Sequence, residues 1–483
     1  MKALPDLDRL SVSEKDDLIR AFFAQAEVLT AHVDVLTAQV EILSARITEL
    51  EGRLALNSQN SSKPPSSDGL NRPKPKSQRQ KGLNSTGGQK GHSGHTLKRV
   101  AHPDRIERHL PPSRCDACDR PLPDDAAAVV ETRQVFDIPP LCHEVTEHQV
   151  FETRCACGKL HRGEFPAEVT APVQYGPRIK AAVVYLTHHH MLPLARTAAL
   201  AGDLLGLPIS DATLLAIHEE ARVRLEPTVA AMGECLKTAP VVHADETGMR
   251  VCGKLHWLHV LATSALTWIS SHTNRGKKAF DAFGILAAFV GTLVHDGWKP
   301  YRDLGCTHAL CNAHHLRELT YIFEEMKQNW AKRLIDLLLG ACYEVAAMED
   351  VLAAERIDYY RLAYAEILAQ GEAANPRAPP SGRRGRTKQN KALNLLDRLR
   401  TYADDVWRFT TDPNVPFSNN IAEQAVRMPK VKQKISGGFR TPAGLGTFCT
   451  LRSYLATLHK QNANLFHALT LTFQGHPPEP RFF

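Results

Sequence analysis

The sequence lacks the features of membrane-spanning and secreted proteins. Its longest apolar run, residues 282–294, contains two glycines and is shorter than the ~18 residues that a membrane span needs. The first residues carry no apolar stretch of the kind found in secretory signals. The 11 cysteines are spread along 483 residues, unlike the dense disulfide frameworks of small secreted domains. We therefore expect a soluble cytoplasmic protein with no membrane partner, whose clustered cysteines bind metal.

Composition predicts several folded domains and one basic segment. At roughly 100–200 residues per domain, the chain corresponds to about two to four domains. The hydrophobic share of 43% is enough for packed cores and excludes global disorder. The net charge of +7 is concentrated, because residues 63–99 hold nine Lys or Arg and one acid, Asp68. This segment indicates a polyanionic partner, although a solvated linker has the same composition.

An unbroken heptad repeat of apolar residues lies near the N-terminus. Its members are Phe22, Ala26, Leu29, Val33, Leu36, Val40, Leu43, Ile47, Leu50 and Leu54. A period of about 3.5 residues keeps one narrow stripe facing a partner helix, so residues 16–56 are predicted to form a coiled coil that makes the chain a homo-oligomer. The alternative is an amphipathic helix packed on its own domain, whose apolar face is usually wider.

Residues 57–100 are rich in Ser, Pro, Asn and Lys and are predicted to be a basic disordered linker. Pro-Lys pairs favour an extended, solvated backbone. Such an arm is suited to following phosphates, and its candidate DNA contacts are Lys63, Lys74, Lys76 and Lys90.

Residues 101–170 contain a candidate zinc site. Cys115 and Cys118 have the spacing of one half of a zinc knuckle, and Cys155 and Cys157 form a return pair that is one residue short. The strand-like stretches 129–138 and 144–152 lie between the pairs, so we expect a small zinc-ribbon-like β domain. His161 or Cys142 could replace one ligand, and a metal-free β-ribbon with reduced cysteines is the alternative.

Residues 177–238 are predicted to be helical. A helix from Leu194, a break at Gly206 and a second helix capped by Ser210 have the outline of a helix-turn-helix. Many purely structural helical hairpins share this outline, so the pattern does not distinguish a DNA-binding motif from a structural hairpin.

The remaining chain alternates strand and helix patterns, which predicts an α/β core. Residues 239–315 form its first part, with strands at 240–245, 254–262, 265–271 and 291–296 and a short helix at 284–289. A helical insertion spans 316–410, the core resumes at 411–450, and a C-terminal helix and tail cover 451–483. The fold class is therefore a multidomain α + α/β protein.

Two predicted strands end in an acid, Asp245 and Asp296, at the edge where open α/β sheets bind ligands. Two close carboxylates favour a hard cation such as Mg²⁺ between them. Glu423, one turn into a helix capped by Ser418 or Asn419, is the best candidate for a third ligand. Glu246 competes with Asp245, and His243 and His295 could instead bind a different metal.

Basic residues follow Glu423 closely and are typical of a channel for a charged backbone. The candidate DNA contacts in this stretch are Arg427, Lys430, Lys432, Lys434 and Arg440.

The chain strongly resembles transposases of the insertion sequence sixty-six family. The matching features occur in the expected order over nearly the whole chain. They are the N-terminal zipper, SSKPPSSDG (61–69), GGQKGHSGH (87–95), the pair Cys115/Cys118, HADETGMRV (243–251), HDGWKPY (295–301), CNAHHLREL (311–319) and NNIAEQAVRMPKVKQKISGG (419–438). Each motif alone is weak, and together they are specific. The sequence departs from the family mainly at Cys155 and Cys157, which affects only the zinc ligands.

The resemblance implies a DDE-type enzyme with a ribonuclease-H-like core, whose acids fall on Asp245, Asp296 and Glu423. It implies two Mg²⁺ or Mn²⁺ ions that support cleavage of element ends and their transfer to target DNA. Cys311 and His314 match a motif that follows the second acid in several such transposases, and they either brace the site or form an ordinary core pair.

The expected partners are double-stranded DNA, a second copy of the chain and accessory proteins of the same element. Rival interpretations are a catalytically inactive DNA-binding regulator derived from a transposase, a junction-resolving nuclease relative, and a zinc and coiled-coil scaffold.

Overall fold

The computed structural model describes residues 7–61, 97–122, 128–139, 141–348, 351–379, 387 and 389–482. The candidate DNA contacts Lys63, Lys74, Lys76 and Lys90 lie outside these ranges. The chain divides into two compact units, one made of residues 1–76, 177–191 and 218–483, the other of residues 77–176 and 192–217.

The first long element is helix α1, Val12–Leu54, which covers most of the predicted coiled coil. Its start is fixed by a capping box, in which Ser11 accepts from the backbone N–H of Glu14 and Glu14 accepts from that of Ser11. The larger residues of the heptad seam are exposed along it, including Leu36 at 58% and Leu43 at 61%. Length and composition alone would also allow α1 to cross a membrane, which is weak evidence for a span.

In the smaller unit, the described strands are β1, Glu152–Arg154, and β2, Leu160–Arg162, which pair antiparallel. The strands expected at 129–138 and 144–152 are wrong, since the structure assigns none before Glu152 in either stretch. At Gln134 the physical reason is visible, because its side-chain amide pairs with the backbone N–H and carbonyl of Val100 where a strand partner would be. In the described part of residues 101–170, the β structure therefore consists of the β1–β2 hairpin and an antiparallel bridge between Arg114 and Pro121.

The helical region begins with α2, Pro177–Val184, and a π-helical turn, Tyr185–His189. Helix α3, Leu194–Leu205, ends at Gly206, whose φ of 64° is in the left-handed region. Helix α4, Asp211–Leu236, begins after Ser210, whose hydroxyl accepts from the Thr213 N–H at 3.2 Å. Both predicted helix boundaries are thus present, and DNA binding by α3 and α4 stays a prediction.

A five-stranded sheet forms the centre of the larger unit. Its strands are β3, Val241–Val251; β4, Lys254–Ala262; β5, Thr267–His272; β6, Thr292–His295; and β7, Thr307–Leu310. The order across the sheet is β5-β4-β3-β6-β7, with β3, β4 and β5 antiparallel and β6 and β7 parallel to β3. Helix α5, Lys277–Phe283, and a 3₁₀ turn, Leu286–Ala288, lie between β5 and β6. Helix α6, Lys299–Arg302, lies between β6 and β7.

Helices after β7 build a hydrophobic core. They are α7, Asn312–Glu324; α8, Asn329–Met348; α9, Ala354–Ala374; α10, Lys391–Thr401; and α11, Ala403–Trp407. Buried residues such as Leu319, Leu334 and Trp407 pack in one cluster with Val294 and Leu310 of the sheet. The predicted helical insertion thus packs on the parallel side of the sheet, and α7 begins four residues before the expected start at 316.

Three helices close the chain: α12, Asn420–Ser436; α13, Pro442–Lys460; and α14, Leu465–Phe473. α13 runs across the expected boundary between residues 450 and 451. It covers the free edge of β5, because Ser453 and Thr457 accept from the N–H groups of Ile269 and Thr267 at 2.8 and 2.9 Å. α12 packs on the antiparallel strands through residues such as Ile421 and Met428.

Candidate active site

Strand register sets Asp245 and Asp296 side by side. In the parallel ladder His243 pairs with Val294, and β6 ends one residue later at His295. Continuing this register places Asp245 level with Asp296, on strands that are neighbours about 4.8 Å apart.

The prediction that the first strand ends at Asp245 is wrong. β3 continues to Val251, because residues 246–251 remain paired with β4 after β6 has ended. Asp245 therefore lies inside its strand, next to the point where the parallel partner ends, and Asp296 directly follows its own strand.

Glu423 reaches the same edge because Asn419 anchors the start of α12. The Asn419 side chain donates to the Ala244 carbonyl at 2.8 Å and accepts from His243 Nδ1 at 2.9 Å. Its backbone N–H donates to Cys311 Sγ at 3.1 Å. These contacts join α12 to β3 and to the residue after β7, and they place Glu423 in the first helical turn.

The pKa of Asp245 is affected by the charges of the acids around it. Burial, together with the negative charges of Glu246, Asp296 and Glu423, raises the pKa of Asp245 to about 8. Among the described residues, no Lys or Arg forms an ion pair with Asp245, whose carboxylate accepts only from the Glu246 N–H at 2.8 Å. The three carboxylates are neighbours, but their oxygens do not all lie within 4.8 Å of one another.

Glu246, the competing candidate, already has partners within the protein. Its side chain is only 2% exposed. It accepts from Nε of Arg275 at 2.8 Å, from Nη2 of the same guanidinium and from the Tyr301 hydroxyl. Burial raises the pKa of Glu246, while Tyr301 and Arg275 oppose that rise.

The two histidines that could have been metal ligands are also engaged. His243 Nδ1 donates to Asn419, and burial lowers the pKa of His243 to about 4. His295 Nδ1 accepts from the Gly297 N–H at 3.0 Å, which leaves His295 Nε2 to donate to His308 at 3.2 Å. Both rings support the strand ends and are not free to bind a metal through these nitrogens.

Cys311 and His314 lie against Glu423. The Glu423 Oε1 atom is 3.8 Å from Cys311 Sγ and 3.7 Å from His314 Nδ1. Arg317 Nη2 lies 3.6 Å from Oε2 of the same carboxylate. Burial raises the pKa of the Cys311 thiol to about 12, with the Glu423 charge as a second cause.

The predicted basic residues divide into two groups. Arg427, Lys434 and Arg440 are exposed. Lys430 instead donates to the Gly248 carbonyl at 3.0 Å and so ties α12 to β3. Burial lowers the pKa of both Lys430 and Lys432.

The four candidate zinc cysteines form two separate tight turns. Backbone N–H groups within each turn point to the first thiol, which lowers the pKa of Cys115 and of Cys155. In the part of the chain that the structure describes, the two pairs do not form a common cluster of metal donors. Zinc binding by Cys115, Cys118, Cys155 and Cys157 therefore stays a prediction.

The residues that the sequence analysis missed are those that hold the candidate acids and their neighbours in place. Asn419 had been considered only as a helix cap, and Arg275 and Tyr301 had not been considered. The motif containing Tyr301 was a usable signal, whereas nothing near Arg275 in the sequence indicates its partner Glu246, 29 residues away.

Comparison with known proteins decides the family. The model for the Transposase IS66 family matches residues 172–446, a range that includes the whole sheet and all three acids. The chain belongs to the IS66 family of transposases. A family of unknown function (DUF6444) matches residues 3–98 of this transposase, and no curated protein matches it. Membership implies that the transposase acts on DNA and depends on divalent metal ions.

Proposed function

We propose that the protein is a DDE-type transposase that cleaves element ends and joins them to target DNA through Asp245, Asp296 and Glu423. Two features support the proposal: Asp245 is level with Asp296 on neighbouring strands, and Asn419 ties the start of α12, which carries Glu423, to β3. The sheet, with an antiparallel meander followed by two parallel strands, is consistent with a ribonuclease-H-like core.

The donor set fits hard divalent cations. Carboxylate oxygens are the ligands that Mg²⁺ and Mn²⁺ prefer. The raised pKa of Asp245 reflects a buried acid among negative charges and without a paired cation in the described residues, and a bound cation would relieve that repulsion. When bound, a pair of such ions activates the attacking oxygen and neutralises charge on the leaving oxygen.

The protein's own residues hold the reacting groups in line. In hydrolysis, a water oxygen bonds to phosphorus and the bond to one ester oxygen breaks, which leaves a free 3′-hydroxyl. In transfer, that hydroxyl attacks a target phosphodiester and displaces another 3′-oxygen, so one ester replaces another. Asn419 and the Glu246–Arg275–Tyr301 group act as positioning residues that keep the three acids at the sheet edge.

Exposed cations along α12 provide a path for the DNA backbone. Residues 423, 427 and 434 lie within about 40° of one another around a helix of 3.6 residues per turn. Arg427 and Lys434 therefore share a face with Glu423 and are the favoured phosphate contacts. Arg440 follows just after the helix, whereas Lys430 is occupied by β3.

The test is strand joining by the purified full chain. The substrate is labelled duplex carrying the terminal inverted repeats that flank the gene, with Mg²⁺ or Mn²⁺ added. Asp245→Asn, Asp296→Asn and Glu423→Gln are each expected to lower cleavage and joining by more than about a thousandfold, because the three acids act as a unit. Binding of the same duplex is expected to persist.

Glu372→Gln is the matched control, since Glu372 pairs with Arg400 in the helical insertion. It is expected to retain full joining activity. Cleavage retained by any of the three acid variants would remove that residue from the proposal. DNA binding by the wild-type chain without any cleavage would favour the inactive regulator.

A further inference from the structure

A mixed soft and hard donor cluster lies beside the proposed magnesium site. Cys311 Sγ, His314 Nδ1 and a Glu423 oxygen all lie within 4.8 Å of one another. In the described part of the chain, no other group of three or more His, Cys, Asp or Glu side chains meets this condition. The three donors come from the end of β7, the first turn of α7 and the first turn of α12.

The donor spacing is close to that of a tetrahedral zinc site. Bonds of about 2.3 Å to sulfur and about 2.0 Å to nitrogen or oxygen place neighbouring tetrahedral donors about 3.3–3.5 Å apart. The observed separations from Glu423 Oε1 are 3.8 Å to the sulfur and 3.7 Å to the nitrogen. The sulfur and the nitrogen lie within 4.8 Å of each other, so side-chain rotation would bring the three donors around one ion.

The donor atoms are available for a metal. His314 Nδ1 is buried and has no hydrogen-bond partner in the structure, which is a costly state for a polar atom. Cys311 Sγ accepts from the Asn419 N–H, a contact that also suits a metal-bound thiolate. Arg317 is the cation nearest to Glu423, and at 3.6 Å it leaves the carboxylate free to turn.

We propose that Cys311, His314 and Glu423 form a binding site for a borderline-soft divalent ion of the zinc class. Thiol and imidazole ligands select such ions over Mg²⁺, which prefers oxygen. Three protein ligands leave a fourth position open to water or a phosphate oxygen. Glu423 belongs to both sites, so an ion bound here draws it away from the magnesium site and inhibits the reaction; this second statement rests on the proposed function.

Cobalt(II) is the probe for binding, because a thiolate ligand gives it a charge-transfer band. The full chain carrying Cys115→Ser, Cys118→Ser, Cys155→Ser and Cys157→Ser is expected to bind one Co²⁺ with this band and to release it to Zn²⁺. Adding Cys311→Ser is expected to abolish the band. His314→Gln is expected to weaken binding by at least about a hundredfold, since even outer-shell losses cost 10–100-fold.

Cys449→Ser is the matched control. Cys449 is buried like Cys311, and burial raises its pKa to about 12 as well, but it packs in the cluster with Met249 and Phe448. It is expected to leave the band unchanged. If the fourfold variant does not fold, the same comparison is made in the wild-type chain, where Cys311→Ser should remove one equivalent of bound cobalt. Unchanged cobalt binding in the Cys311→Ser chain would overturn the site.

Inhibition is tested separately by adding Zn²⁺ to strand joining in Mg²⁺. The fourfold cysteine variant is expected to lose activity with one equivalent of zinc, and the same chain with Cys311→Ser to resist it by at least about tenfold in zinc concentration. Equal inhibition of both chains would refute the shared use of Glu423. A chain that binds cobalt at Cys311 but never joins DNA would refute the proposed function and leave the metal site standing.

Discussion

Arg275 lies between two indole rings beside the candidate site. Its guanidinium carbon is 4.8 Å from the ring centre of Trp257 and 4.1 Å from that of Trp298, while its N–H groups donate to Glu246. Only a planar guanidinium can stack on both faces and bind a carboxylate at the same time. This arrangement explains how an acid next to Asp245 can be buried without becoming a metal ligand.

Removing the Arg275 side chain should therefore destabilise the folded protein. Arg275→Ala is expected to lower the free energy of unfolding by about 3 kcal/mol, because it leaves the Glu246 carboxylate buried without its cation. Denaturant unfolding followed by tryptophan fluorescence and circular dichroism measures the change. Arg400→Ala breaks the exposed pair with Glu372 and is expected to cost at most about 1 kcal/mol. Equal losses in the two variants would contradict the argument.

At the scale of elements, the π-helical turn is joined to α4 through buried imidazoles. The Thr187 hydroxyl donates to the Val183 carbonyl and accepts from His188 Nδ1 at 2.9 Å and from His218 Nε2 at 2.8 Å. Burial lowers the pKa of His218 to about 4 and that of His188 well below its usual value, with the nearby positive charge of Lys432 acting in the same direction. Both rings are therefore neutral in the folded protein.

Because both imidazoles are buried in the neutral form, we expect the folded protein to lose stability in acid. A histidine whose folded pKa is depressed contributes its stability above the unfolded value of about 6.5, and that stability is lost as the pH falls toward about 4. At pH 5 the loss from His218 alone is about 2 kcal/mol. His218→Gln should make unfolding free energy less dependent on pH between about 7 and 5, with the exposed His467→Gln as control for the substitution. An unchanged slope in His218→Gln would contradict the prediction.

Element prediction from the sequence succeeded where one pattern was uninterrupted. β4 has the predicted bounds Lys254–Ala262, because its apolar pattern is continuous. The end of β3 was misplaced since Asp245, Glu246 and Thr247 look like a polar turn, although Glu246 is buried by Arg275 and Tyr301. The role of Asn419 could not be found either, because its partners Ala244 and Cys311 are 175 and 108 residues away. The acids themselves were found through motifs, and their joint role in catalysis stays a prediction.

At the scale of the whole molecule, α1 presents an apolar seam whose larger side chains are exposed among the described residues. Near its end, the Gly52 carbonyl accepts from the Tyr321 hydroxyl at 3.1 Å, and Leu56 packs against the helical core. The seam alternates Val33, Val40 and Ile47 with leucines. β-branched residues at one heptad position and leucine at the other favour a two-stranded parallel coiled coil.

We therefore expect the full chain to be a dimer that depends on this seam. Leu36→Glu places a charge in the seam and should yield monomers in sedimentation equilibrium at micromolar concentration. Val35→Glu, on the neighbouring residue outside the seam, adds the same charge to an equally exposed position and should leave the dimer intact. Dimers in both variants, or monomeric wild type, would exclude α1 as the oligomerisation element.

The late position of Glu423 along the chain has a consequence for synthesis. α12 begins only after the helical insertion, and Glu423 in its first turn lies 127 residues beyond Asp296. A nascent polypeptide, or a product cut short before α12, contains α1 and two of the three acids but not the third. With the proposed role of Glu423, such a product is expected to be unable to cut DNA. With the expected pairing through α1, truncated copies should inhibit full-length ones by forming mixed dimers.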